Sequence, residues 1–439
     1  MKNKLKLIKL SALLLACSVG ITQAQTQVAN LRPYDKTGLH VFESPKDTAA
    51  TFEKIHVAFG AGFTQGFQGL KHENKSGGLH KITPGFNTAN ANLFMDVQLA
   101  DGIRLNLTSY LSSRHHNETW VKGGYIQFDK MPFKGQVWEN IMKVATLKIG
   151  HMEINYGDQH FRRSDGGHTL YNPFVENYIM DAFTTEIGGE VLLRKYDFFG
   201  SIGVSNGMIK GNIDSLIKTS QDDNIHKSPS LYLKGGFDKT LSEALRVRLS
   251  GSLYTNKSSG GLTLYGGDRT GSNYFMVAER AGGTYAANAF SGRFNPGFSK
   301  RITAMQFNGF VKAMGLEIFG TYEAAKGRTK SEASDRKSTQ YAIESIYRFG
   351  RNKKLFAGMR YNSVQAKLAD IASTSTTAGI KYDTDIKINR LSFGAGWFLT
   401  DNILLKAEYA RQKYNDFPTA DYRNEAKFNG YVVQAVVGF

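Results

Sequence analysis

The amino-acid sequence predicts an all-β fold, a transmembrane antiparallel β-barrel of about 16 strands with long extracellular loops. Apolar and polar residues alternate over stretches of about ten positions, the length a tilted strand needs to cross a bilayer, and the pattern recurs along the whole chain. Connections between these stretches alternate between short and long. Glycine is abundant at 46, proline scarce at 8, phenylalanine and tyrosine number 29 and 21, and no segment beyond the N-terminal leader offers a long apolar run. Such a chain, if it enters a membrane, must close into a barrel, because only helices and barrels satisfy every backbone group in lipid.

Residues 1–24 read as a secretory signal peptide. Four lysines and no acid lie between Met1 and Lys9, an apolar stretch runs from Leu10 to Ile21, and Thr22-Gln23-Ala24 precedes the cut. The apolar core falls short of the roughly 20 residues that a spanning helix needs. Leu14-Leu15-Ala16-Cys17 also fits a lipidation box, but the apolar run continues past Cys17 and a barrel needs no lipid anchor. Cys17 is the only cysteine, so cleavage leaves neither a disulfide nor a thiolate metal site.

Residues 25–53 follow as a periplasmic N-terminal segment, and 54–439 as the barrel. Strands are expected near 55–64, 89–99, 103–113, 120–129, 145–154, 184–194, 198–206 and 230–238. Eight more are expected near 245–256, 301–313, 316–325, 338–349, 354–366, 386–399, 402–413 and 427–439. In the clearest, Ile103, Leu105, Leu107 and Leu111 share the face suited to lipid, and Arg104, Asn106, Thr108 and Tyr110 the face suited to water. Short turns such as Ala100-Asp101-Gly102 and Thr400-Asp401 alternate with long polar stretches at 155–183, 207–229, 257–300, 326–337, 367–385 and 414–426. An even strand count places both termini on the periplasmic side. Within 130–144, the stretch Val137 to Lys143 suggests a short periplasmic helix. Tyr125, Phe128, Trp120, Tyr347, Phe349, Trp397, Phe398, Tyr409 and Phe439, near strand ends, are expected to form the interfacial girdles.

The last strand, Tyr431-Val432-Val433-Gln434-Ala435-Val436-Val437-Gly438-Phe439, ends in an aromatic and resembles the C-terminal signature of bacterial outer-membrane proteins. That resemblance implies insertion by the barrel-assembly machinery through Phe439. A second resemblance spans about 45 residues: Leu147-Lys148-Ile149-Gly150, Asn155-Tyr156-Gly157, Arg162-Arg163, Asn172-Pro173-Phe174 and Thr185-Glu186-Ile187-Gly188-Gly189-Glu190. This spacing is similar to the phosphate-selective porin O/P family of sixteen-stranded barrels. It implies that Asp158 through Asp181, the third loop, folds inward and narrows a pore. The dense arginine ladder of that family's phosphate-specific members has no clear counterpart here.

The formal net charge is +17, of which +13 remains once the four leader lysines are removed, and it favours anionic partners or solutes. Nucleic acid is disfavoured by the export signal and by the lack of a basic stripe. By the alternation, Lys148, Arg104, Arg246, Arg248, Arg360, Arg390, Lys234 and Lys406 face the lumen, against Asp96, Glu186, Glu190, Glu317, Glu323, Glu344 and Glu408. The wall is nearly balanced, so anion preference must come from the loops. Arg162, Arg163 and His168 are the constriction candidates, with Gly166-Gly167 permitting sharp turns and the guanidinium forks suited to phosphate or carboxylate. His115-His116 with Glu118, and His151, Glu153, His160 and His168, lack a scaffold that would hold a metal. No Ser, His and Asp set assembles into a nucleophile.

The expectation is a passive channel for small hydrophilic solutes with a mild preference for anions such as phosphate. It would need no cofactor, sit among outer-membrane lipid and lipopolysaccharide, and assemble as a homotrimer. The rivals are a barrel enzyme and a plugged barrel that docks surface or secretion machinery.

Overall fold

Sixteen long antiparallel strands join edge to edge and close on themselves in the computed structural model, which describes residues 28–44, 46, 52–87, 89–111, 119–209, 216–266, 276–280, 282–284, 291–375 and 378–439. The expected signal peptide, residues 1–24 with Cys17, along with His115, His116 and Glu118 and the side chains of Trp120 and His168, falls outside the described set. The strands are β1 (His56–Glu73), β2 (Asn90–Ala100), β3 (Ile103–Leu111), β4 (Thr119–Phe128), β5 (Ala145–Glu153), β6 (Thr185–Lys195), β7 (Phe198–Ser205) and β8 (Ser230–Ser242). They continue as β9 (Leu245–Asn256), β10 (Arg301–Ala313), β11 (Leu316–Arg328), β12 (Arg336–Phe349), β13 (Leu355–Ala366), β14 (Ile386–Phe398), β15 (Ile403–Asn415) and β16 (Lys427–Gly438).

Closure runs through β1. Its first half pairs with β2 and most of its length with β16, so no long edge is left unpaired. Beyond Thr64, where the β2 ladder stops, the two-residue strand Gly85–Phe86 pairs with Phe67 and Gln68. β16 pairs with β1 as far as Glu73, nine residues past the expected end of β1, a continuation that alternation alone does not reveal. The terminal Phe439 is held by reciprocal bonds to Ala61, at 2.8 and 3.0 Å.

Alternation sets the two faces. Along β11 the inward residues Glu317, Phe319, Thr321, Glu323 and Ala325 are buried, while Ile318 and Tyr322 point out and are exposed. Phe307, Ile343, Phe393 and Val433 are 54, 55, 51 and 44% exposed on the same outer surface. A continuous apolar band of this kind is untenable in water and is the surface a barrel presents to lipid. Tyr347, Phe349, Trp397, Tyr409 and Phe439 stand outward on it, as a girdle requires. Phe398 does not: it is fully buried inside the barrel against Phe356. Tyr125 also turns inward, into a lumenal cavity. For both, proximity to a strand end is outweighed by strand parity.

Short turns gather at one end of the barrel and long loops at the other. The helix α1 (Gln136–Met142) lies at the short-turn end, in the connection where the sequence suggested one. Residues 28–44, expected on the periplasmic side, enter the short-turn mouth of the barrel. Tyr34 stacks on Phe94 at 4.0 Å, Phe42 packs edge-on to Phe310, and Glu43 pairs with Lys234 and Arg248. The segment is therefore a plug. From the long-loop end, residues 154–184 and the described parts of 257–300 descend into the barrel, and the largest apolar cluster among the described residues, with Tyr156, Ile179, Met180, Leu264 and Phe294, lies between them and the wall.

Candidate functional site

A loop that enters a barrel carries backbone N–H and C=O groups away from water, and each must find a partner. The wall supplies them from the polar rows of its inward faces. Glu408 on β15 accepts from the N–H groups of Val175 and Glu176 at 2.8 and 2.9 Å. The Lys406 ammonium donates to the carbonyls of Thr169, Asn172 and Phe174 at 2.7–2.9 Å. Gln340 on β12 bonds both N–H and C=O of Met180, and Asn362 on β13 accepts from the N–H of Ile179 at 2.7 Å. Gly157 takes a left-handed turn, φ +70°, where a Cβ would run into the Gln306 amide, and its N–H donates to Ser252.

Ion pairs lock the same loop. Asp158 receives Lys234 at 2.7 Å and Arg248 at 2.8 Å, and both cations also hold Glu43 of the plug. Burial alone would raise the carboxyls of Glu43 and Asp158, but Lys234 and Arg248 hold both well below the usual range. Glu344 receives Arg360 at 2.8 Å, Arg162 at 3.3 Å and the Tyr178 hydroxyl at 2.8 Å. Arg163 pairs with Asp181 at 2.7 Å and lies 3.8 Å from the Phe183 ring.

The lumen is not filled throughout. A cavity of about 180 Å³ runs along β2–β6, between that part of the wall and the plug. Asn106, Lys122, Tyr125, Lys148 and Glu190 face it from the wall, Arg32, Tyr34 and Glu43 from the plug, and His160 and Phe161 from the third loop. Lys122 is tied to Asp165, and His160 to Glu153. Lys148 makes no carboxylate ion pair among the described residues, and its ammonium lies 5.3 Å from the Tyr125 ring.

No family model matches the chain, and no curated protein does. Among solved structures it is similar to the anion-selective porin from Comamonas acidovorans, with a TM-score of 0.51 at 10% identity over 88% of this chain and 100% of that one. It is also similar to the outer membrane channel DcaP of Acinetobacter baumannii, with a TM-score of 0.52 at 10% identity over 89% of this chain and 100% of that one. The fold is that of outer-membrane porins. Identity this low establishes the architecture and nothing finer.

In this porin-type barrel the sequence-derived lumenal residues all lie on inward strand positions or in the third loop, but few of them border open space. Arg248, Arg360 and Arg390 are 1–2% exposed, and Arg162 and Arg163 4–5%. Instead of a free charged rim they form the joint between loop and wall. Arg390 donates to the carbonyls of Asn177 and Gly292, and Arg360 to that of Glu176. Arg104 pairs with Asp129 at 2.7 Å, and Arg246 bonds Asp238 and the His40 carbonyl near the short-turn end. Of the nine candidates, Lys148 alone is described as bordering the cavity. Arg32, Tyr34 and Glu43 were missed because nothing in the spacing of residues 28–44 marks them as lumenal, and Lys122 because a register shift between Thr108 and Ser109 displaces β4 from simple alternation.

Proposed function

We propose that the chain is an outer-membrane porin, a passive channel for small hydrophilic solutes rather than an enzyme. The observation that carries this is the cavity along β2–β6, with Lys122, Lys148 and Glu190 on its wall, inside a barrel whose outer face is an apolar band. The finer reading is a mild preference for anions, phosphate among them. It rests on Lys148, a wall cation facing the cavity with no ion pair among the described residues, against Glu190 on the neighbouring strand. Export by the leader, assembly through the Phe439 strand and a trimeric state complete the proposal. A second reading, a plugged barrel that docks a partner, is favoured by the depth to which residues 28–44 and 154–184 fill the lumen.

Single-channel conductance of the refolded protein in a planar bilayer, under a salt gradient and with phosphate as competitor, separates the two. Open current with an anion-selective reversal potential and phosphate block supports the full reading. Open, non-selective current removes the anion preference and keeps the porin. Silence favours the docking barrel.

A further inference from the structure

The outer face carries a repeated arrangement that the channel does not use. Tyr322 on β11 lies directly across from Tyr341 on β12, and four residues nearer the long loops Lys326 lies directly across from Lys337. On the far side of β13 and β14 the same layout returns: Tyr409 on β15 faces Tyr431 on β16, and four residues further along Lys413 faces Lys427. All four tyrosines point outward and are 47–50% exposed. The four lysines follow the same outward parity and are exposed. Four residues of strand rise put each lysine pair roughly 13 Å along the strand from its tyrosine pair.

Height in the membrane follows from β12. Phe349 at its short-turn end and Lys337 are twelve residues apart on one face, or roughly 40 Å of strand. A tilt of about 45° reduces this to just under 30 Å, close to the roughly 25 Å apolar band of such barrels. The lysine pairs therefore stand at the upper edge of the band, where tyrosine rings meet headgroups.

Like charges placed directly opposite in a sheet repel, which makes a bare Lys–Lys pair a cost to the barrel. Lys427 has Glu73 beside it, whereas Lys326, Lys337 and Lys413 make no ion pair among the described residues. Arg411 and Lys387 extend the second cluster on the same outward face. A phosphate between the two ammonium groups removes the repulsion and meets both with charge-assisted bonds.

We infer that Lys326/Lys337 and Lys413/Lys427 are two binding sites for the phosphorylated glycolipid of the outer leaflet, each gripping one lipid A phosphate while the tyrosine pair below packs on its acyl chains. This rests on the reading of the barrel as an outer-membrane protein.

The test is native mass spectrometry of the full-length folded protein in neutral detergent, titrated with bisphosphorylated lipid A and, separately, with phosphatidylglycerol. Two bound lipid A molecules are expected, with K326Q/K337Q and K413Q/K427Q each losing one. Each double variant should weaken its site roughly thirtyfold, from about 1 kcal/mol per lysine near the surface. Lipid A binding that survives all four substitutions overturns the assignment, and so does phosphatidylglycerol binding as tightly as lipid A. Conductance is read on the same preparations. A conducting barrel with lysine-independent lipid binding sinks this inference alone, while a silent barrel with lysine-dependent binding supports it and sinks the channel.

Discussion

The wall of β8–β15 and the wall of β2–β6 carry the same inward rows of polar residues, yet the first faces the protein's own loop and the second faces open space. The difference lies in what the side chains can satisfy. Gln340, Asn362, Lys406 and Glu408 stand where an inserted backbone offers N–H and C=O groups, and they pair with it as a neighbouring strand would. Lys148, Asn106 and Tyr125 meet no such backbone across the cavity. An inward polar row is thus a request for partners, and water is only one way to meet it.

The largest expected effect comes from removing what separates the cavity from the short-turn end. Deleting residues 28–44 takes away Arg32, Tyr34, Phe42 and Glu43 together, and single-channel conductance should rise several-fold. Unchanged conductance would place the barrier in the third loop instead.

Next is the locked half. Asp158→Ala leaves Lys234 and Arg248 with Glu43 as their shared acid near the loop, and breaking a buried pair costs about 3–5 kcal/mol. The midpoint of urea unfolding should fall accordingly. Lys148→Ala on the hollow half should stay within about 0.5 kcal/mol, as expected of a side chain with no ion pair among the described residues. Equal losses at the two positions would erase the contrast between the halves.

A smaller, graded effect belongs to His40, which joins plug to wall. Its Nε2–H donates to Glu317 at 2.7 Å, while Nδ1 lies 3.4 Å from an Arg162 N–H and accepts from it, so the ring is neutral. Burial brings its pKa down from 6.5 to about 4, with Glu317 opposing and Arg348 and Arg162 adding to the fall. A pKa lowered by folding stabilises the plug above the unfolded value of 6.5, and that contribution drains away as pH falls from 6.5 to 4. It amounts to about 3 kcal/mol at most. Channel current should therefore increase on acidification through this window, and His40→Gln should flatten the response. A response unaltered by that substitution assigns the pH dependence to another group.

Strand positions were legible because period-2 alternation is strong when one face meets lipid and the other is polar. All sixteen strands lie within a few residues of their expected places, apart from the far half of β1, which runs on to Glu73 against β16 while its other side meets only the two-residue strand Gly85–Phe86. The inward direction of Arg248, Arg360 and Arg390 was legible for the same reason. Their partners were not. Asp158 and Glu43 reach Arg248 from positions 90 and 205 residues away, and no local spacing encodes such a meeting. Residues 28–44 have no regular period that would separate a plug from a linker.

The smallest effect is the one that bears most directly on what passes. Lys148→Glu reverses one charge on the wall of the cavity, opposite Glu190 across the β5–β6 ladder. Because Lys148 holds no described loop in place, the plug and the third loop should keep their positions, and conductance should change little. Selectivity should move: field lines are focused in a narrow low-dielectric lumen, so a charge reversed there weighs more than several on the rim. The reversal potential under a salt gradient should shift toward cations. Lys381→Glu, an identical change of net charge in an exposed loop where the lysine is 77% exposed, should shift it far less. Equal shifts from the two variants would mean that selectivity is read at the mouth, and the cavity along β2–β6 would lose its claim to be the path.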